Sequence, residues 1–171
     1  MVAGAGRGST VRGAVTFAPS GLTMAVIYVA HPLDHEIAHW LATHGVTCPT
    51  GRTGRHPTAA EVRAALGEID DVRYHQGPDT DGAGWLIDVM HRADPRNGRW
   101  TSIRSSAQRD ERAAIAFHKG WLELIIEITH RLSARVGPLV LIPDTGGTPL
   151  PVWAGRSLAE TLAAFVVEQG A

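Results

Sequence analysis

The segment from Gly120 to Arg135 constrains the fold more than any other part of the chain. Its apolar residues fall on one broad side of a helix: Trp121, Leu122, Leu124, Ile125, Ile126, Ile128 and Leu132. A side this wide is typical of a helix that packs on a sheet, since only a narrow stripe is left for water. Gly137-Pro138 ends the helix, and the fully apolar run Leu139–Ile142 is predicted to be a central strand.

Strand and helix patterns alternate only in part along the rest of the chain. Apolar and β-branched runs predict strands over Ala25–Ala30, Trp85–His91, Arg99–Ser105, Ala113–His118 and Leu150–Trp153. Helices are predicted from Pro32 to His44, after the capping box of Thr58 and Glu61, and after that of Ser157 and Glu160. This order predicts an α+β (mixed α/β) fold, in which helices pack against a mixed, largely antiparallel sheet.

Length and composition favour a single soluble domain. The chain has 171 residues, is 44% hydrophobic and carries a net charge of −1, so it can form a core without disulfides. Its single cysteine, Cys48, excludes an internal disulfide. The glycine-rich residues 1–23 are predicted to be a flexible leader, and residues 24–171 a single globular domain. Without an apolar run of about 18 residues or a secretory signal, we expect a cytoplasmic protein that does not bind membranes.

The string His35-Glu-Ile-Ala-His39 resembles the zinc-binding helix of the zincin metalloproteases. The resemblance implies that His35 and His39 bind zinc and that Glu36 is the general base of a hydrolase. A third ligand is required, and where the extended pattern has a histidine this chain has Gly45. Helical periodicity also places both histidines opposite the apolar face. We therefore interpret the string as a solvated helix face without a metal or catalytic residue, and keep a zinc-dependent metallohydrolase as the alternative.

Several side chains outside this helix are suited to contact with another protein. Six arginines lie between Arg92 and Arg112 with Trp100 among them, and acidic residues dilute their charge. Arginine and tryptophan frequently anchor protein interfaces, whereas the diluted charge makes nucleic acid the less favoured partner. Asp144 follows an apolar strand, at a place where clefts form. The candidate partner-binding residues are Arg96, Arg99, Trp100, Asp144 and Trp153.

The second half of the chain has a distinctive layout. A short strand at Ile115–Phe117 is followed by Lys119-Gly-Trp-Leu-Glu123, which opens the long helix, and then by Gly137-Pro-Leu-Val-Leu-Ile-Pro-Asp-Thr-Gly-Gly147. Over residues 85 to 153 this layout resembles small bacterial proteins encoded as immunity partners of polymorphic toxins. The resemblance implies a stoichiometric binder without catalysis. The sequence therefore predicts a non-enzymatic protein-binding module, with a toxin as its expected partner.

Overall fold

In the part of the chain that the structure describes, seven strands form one sheet in which every neighbouring pair is antiparallel. The computed structural model describes residues 26–78, 84–92 and 99–169. The strands are β1 (Ile27–Pro32), β2 (Val72–Pro78), β3 (Trp85–His91), β4 (Trp100–Ser105), β5 (Ile115–Gly120), β6 (Leu139–Pro143) and β7 (Leu150–Val152). Their order across the sheet is β2-β3-β4-β5-β1-β6-β7. The predicted α+β class is confirmed, whereas the predicted leader and Arg96 lie outside the described residues.

Four helices accompany the sheet within the described residues, and three of them pack on the same face. They are α1 (His35–Thr43), α2 (Ala59–Leu66), α3 (Leu122–Val136) and α4 (Leu158–Gln169). The main core joins α2, α3 and α4 to the sheet, with Phe117, Ile87 and Ile103 fully buried on its strands. The prediction that the long helix packs on a sheet is confirmed by its buried residues.

Helix α1 packs on the opposite face of the sheet, over β6. Leu33, Leu41 and Val140 form a small buried cluster there, with Ile37 and Ile142 packed against it. The helix begins at His35 because the Asp34 carboxylate accepts a hydrogen bond of 2.8 Å from the Ile37 N–H. The prediction that it opens at Pro32 was wrong, because Pro32 still belongs to β1 and lies opposite Leu139.

Both predicted capping boxes are present. The Thr58 hydroxyl accepts from the Glu61 N–H at 3.3 Å, while the Glu61 carboxylate accepts from the Thr58 N–H at 3.0 Å. Ser157 and Glu160 make the same reciprocal pair before α4, at 3.2 and 2.8 Å. Each box satisfies backbone donors that the first helical turn leaves unpaired.

Two predictions about the sheet need correction. The glycine- and proline-rich residues 76–84 predict a loop, but residues 76–78 belong to β2, which pairs with β3 over its whole length; residues 79–83 lie outside the described residues. Tyr74 and His75, predicted to belong to a strand edge, lie in β2. The full extent of β2 was missed because Gly77-Pro78 is a turn-forming pair, yet β2 is an edge strand, where proline is tolerated. The strand Leu139–Ile142 is interior rather than central, because only the short β7 lies beyond it.

Candidate functional site

One face of strands β2 to β5 has no helix over it among the residues that the structure describes. Side chains alternate along each strand, so the neighbours of the buried Ile87, Ile103 and Phe117 point away from the main core. Helix α1 covers only the β6 end of this side. We call the surface the open face; its side chains are Arg73, His75, Leu86, Asp88, Met90, Trp100, Ser102, Arg104, Ala116 and His118.

Trp100 and Met90 form an apolar patch at one end of the open face. They lie directly opposite each other on β4 and β3, and Arg73 lies opposite Met90 on β2. Trp100 is 38% exposed and Met90 is 48% exposed. Such cross-strand partners have their Cβ atoms about 5 Å apart, so the two side chains present one continuous surface. They border a shallow depression of about 400 Å³.

A bulge between β4 and β5 shapes the Trp100 end of the open face. Thr101 pairs with Gly120 and Ser102 pairs with His118, so Lys119 is an extra residue, with φ 58°. Gly120 has φ 127°, and a Cβ there would lie 2.2 Å from the Trp100 carbonyl oxygen. Only glycine fits this approach of the two backbones. The last position of β5 therefore carries no side chain beside Trp100.

The carboxylate of Asp88, in the middle of the open face, is hydrogen-bonded to a neighbouring strand. The Ser102 hydroxyl donates to the Asp88 carboxylate at 2.6 Å, across β4 and β3. His75 lies opposite Asp88 on β2. The carboxylate therefore already has a neutral donor from its neighbouring strand, which fixes its position on the face.

The structure places the predicted partner-binding residues in different settings. Arg99 lies over the Trp121 ring, with its guanidinium carbon 3.6 Å from the ring centroid, so this arginine is engaged within the chain. Asp144 accepts from the Ile27 N–H at 3.0 Å and extends the β1–β6 ladder. Trp153 lies beyond the end of β7, where the Arg156 guanidinium is 5.4 Å from its ring centroid.

Strand register shows which of these residues lie near one another. Ile27 pairs with His118, and Gly120 pairs with Thr101, so Asp144 and Trp100 lie at the same end of the sheet. Trp153 follows Val152, which pairs with Leu139 at the other end. The structure therefore brings Arg99, Trp100 and Asp144 to one end of the sheet and places Trp153 at the opposite end.

The two histidines of the zincin-like string lie exposed on α1, as the periodicity predicts. Together with Cys48 they line a groove of about 610 Å³ between α1 and residues 45–53. Glu36 lines a different depression, beside Ile37, Trp40 and Ile142, so the predicted base does not share the groove with the predicted ligands.

Burial raises the pKa of the Cys48 thiol, which disfavours the thiolate that a metal binds. Within the described part of the chain, no three His, Cys, Asp or Glu side chains are grouped to hold a metal ion.

This placement gives a prediction about metal content. We expect protein purified without metal-affinity chromatography to contain well under one zinc ion per chain, because two exposed histidines alone form a weak site. Elemental analysis of wild type and His39→Ala should give the same low value. Near-stoichiometric zinc that is lost in His39→Ala would instead favour the metallohydrolase alternative.

Of the ten open-face residues, Trp100 alone belongs to the predicted set, and the reason is strand register. Met90 alternates with the predicted core positions of its strand, so its outward direction could be read from the pattern. Arg73 could not be placed, because the sequence predicted a strand edge only at Tyr74 and His75 and gave no pairing with β3.

No helix among the described residues is long and apolar enough to cross a membrane. Comparison of the chain with family models, with curated proteins and with solved structures gave no match.

Proposed function

We propose that the chain is a non-enzymatic protein-binding module that docks its partner on the open face. The observation that carries the proposal is the exposed pair Trp100–Met90, which lies on a sheet face that α2, α3 and α4 leave free. Exposed tryptophan and methionine side by side are typical of an interface, because aromatic residues and methionine are enriched there. The layout resemblance favours a toxin as the partner and the cytoplasm as the place of binding.

The dimensions of the open face indicate how far the interface extends. Four strands about 4.8 Å apart and about 20 Å long present a flat area of roughly 300 Å². Stable complexes bury about 800 Å² on each partner, so the interface must reach beyond the four strands. Helix α1 lies on the same side of the sheet and exposes 47% of Trp40. We therefore place α1 at the border of the docking surface.

The proposal is tested by co-expressing the protein with the products of the genes that flank its own. We expect one of them to form a saturable one-to-one complex, measured by calorimetry. Replacing both Trp100 and Met90 with alanine should weaken it at least about 30-fold, since central interface anchors contribute 2 kcal/mol or more.

The control is Arg131→Ala. The Arg131 side chain is 43% exposed on α3, which packs on the face of the sheet opposite the open face. We expect this variant to bind like wild type. An equal loss in Arg131→Ala, or no complex with any flanking product, would contradict the proposal.

A further inference from the structure

We propose that Arg104 forms a carboxylate-binding pocket on the open face, so that the docked partner is an acidic protein segment. The inference rests on the proposed function, because it assigns the chemistry of the partner that the open face takes. It follows from an unpartnered buried donor, the shape of the depression around it, the charge of the face and the spacing between Arg104 and Trp100.

The guanidinium of Arg104 lacks the partner that other arginines of the chain have. Its Nε is buried and makes no hydrogen bond, and no described carboxylate pairs with it. Three other arginines pair with glutamates: Arg55 with Glu61, Arg131 with Glu127, and Arg135 with Glu68. A buried donor without an acceptor is costly, whereas a bidentate carboxylate satisfies the guanidinium with two charge-assisted hydrogen bonds. Arg104 is therefore prepared for an acceptor that comes from outside the chain.

Arg104 lines an open surface depression of about 290 Å³, which gives a carboxylate room to approach. Val29, Ile115 and Ala116 supply apolar lining, whereas Ser105, Ser106 and His118 supply polar groups. The apolar lining removes part of the water around an ion pair formed there, which strengthens the pair modestly relative to one in bulk water. The depression therefore has room for a carboxylate beside the guanidinium.

The fixed charges of the open face also favour an acidic partner. Its two arginines, Arg73 and Arg104, have no carboxylate partner among the described residues, and its one carboxylate, Asp88, keeps its charge while it accepts a hydrogen bond from Ser102. Two positive charges against one negative charge make the open face slightly basic, although the whole chain carries a net charge of −1. Such local complementarity selects an acidic surface and speeds its association.

The positions of Trp100 and Arg104 on β4 fix the distance between the two sites that the partner must fill. Trp100 and Arg104 point the same way from β4 and are four residues apart, which is about 13 Å along a strand. A segment that fills both sites must present an apolar side chain about 13 Å from a carboxylate. In an extended segment these side chains are four residues apart, and in a helix about nine.

Random twelve-residue peptides displayed on phage and selected on the immobilised full-length chain provide the test. We expect selected peptides to combine an aromatic or large aliphatic residue with Asp or Glu at the spacing given above. The affinity of the strongest peptide, measured by fluorescence anisotropy, should fall at least tenfold in Arg104→Gln and recover in part in Arg104→Lys. It should also fall when the salt concentration is raised.

Arg131→Gln is the matched control, because Arg131 is exposed on α3, on the other side of the sheet, and its loss should leave affinity unchanged. Peptides that need Trp100 but bind Arg104→Gln normally overturn the carboxylate pocket and leave the proposed function standing. A selection that yields no peptide, or only peptides insensitive to Trp100→Ala and Arg104→Gln alike, overturns both. A twelve-nucleotide oligothymidylate that binds more tightly than any peptide and is lost in Arg104→Gln would assign the face to nucleic acid instead.

Discussion

Replacing Phe117 with alanine is expected to lower the free energy of unfolding by about 4 kcal/mol, in the range measured for large core residues. Phe117 is fully buried on β5, where it packs with the residues of the main core. The substitution removes an aromatic ring from a position that α3 and the neighbouring strands enclose, so the surrounding side chains cannot fill the space. Urea unfolding followed by circular dichroism measures the loss.

The comparison variant for this prediction is Met90→Ala on the open face. Met90 is 48% exposed, so the same measurement should show a loss of about 1 kcal/mol or less. The contrast between the two variants tests the assignment of the sheet faces on which the docking surface depends. Equal losses would mean that Met90 is packed in the native protein, and the open face would then lose its apolar patch.

Local signals in the sequence were sufficient to predict most helices. The periodicity from Gly120 to Arg135 predicted α3, because an apolar arc of that width can be buried only against a sheet. The boxes Thr58–Glu61 and Ser157–Glu160 predicted where α2 and α4 begin, since the hydrogen bonds of a cap involve residues only three positions apart. The start of α1 was missed because Pro32 and Asp34 are both good helix-start residues, and strand pairing with β6 decides between them.

The candidate site was predicted only in part, because it depends on register between distant strands. Trp100 was identified from its residue type and its arginine-rich surroundings. Its neighbours Met90 and Arg73 come from β3 and β2, and no local pattern states which residues face each other across strands. The missing partner of Arg104 was likewise hidden, since only the folded chain shows which carboxylates lie within reach.

A cluster of hydrogen bonds outside the open face joins α2 to the segment before it. Arg55 donates two hydrogen bonds to the Glu61 carboxylate, at 2.9 and 2.5 Å, and the Arg55 N–H donates to the Val136 carbonyl at 2.9 Å. The Thr58 N–H and hydroxyl donate to the same carboxylate at 3.0 and 3.2 Å. Together these contacts hold residues 55–61 against the end of α3. The side-chain hydrogen bond from Arg55 is the main reason that the pKa of Glu61 is lowered from 4.5 to about 2.

Glu61→Gln is therefore expected to destabilise the protein by about 2 kcal/mol at neutral pH, less than the full pKa shift implies because solvent reaches the pair. Since the folded state holds the Glu61 proton less tightly than the unfolded state, this contribution is complete above pH 4.5 and is lost as the pH falls towards 2. Urea unfolding at pH 7 and pH 3 should thus show a smaller difference between wild type and variant at the lower pH.

The control variant is Glu68→Gln, which removes a more exposed partner of Arg135 and should change stability by less than about 1 kcal/mol. A Glu61→Gln penalty that stays constant between the two pH values would show that the carboxylate acts through packing rather than through its charge.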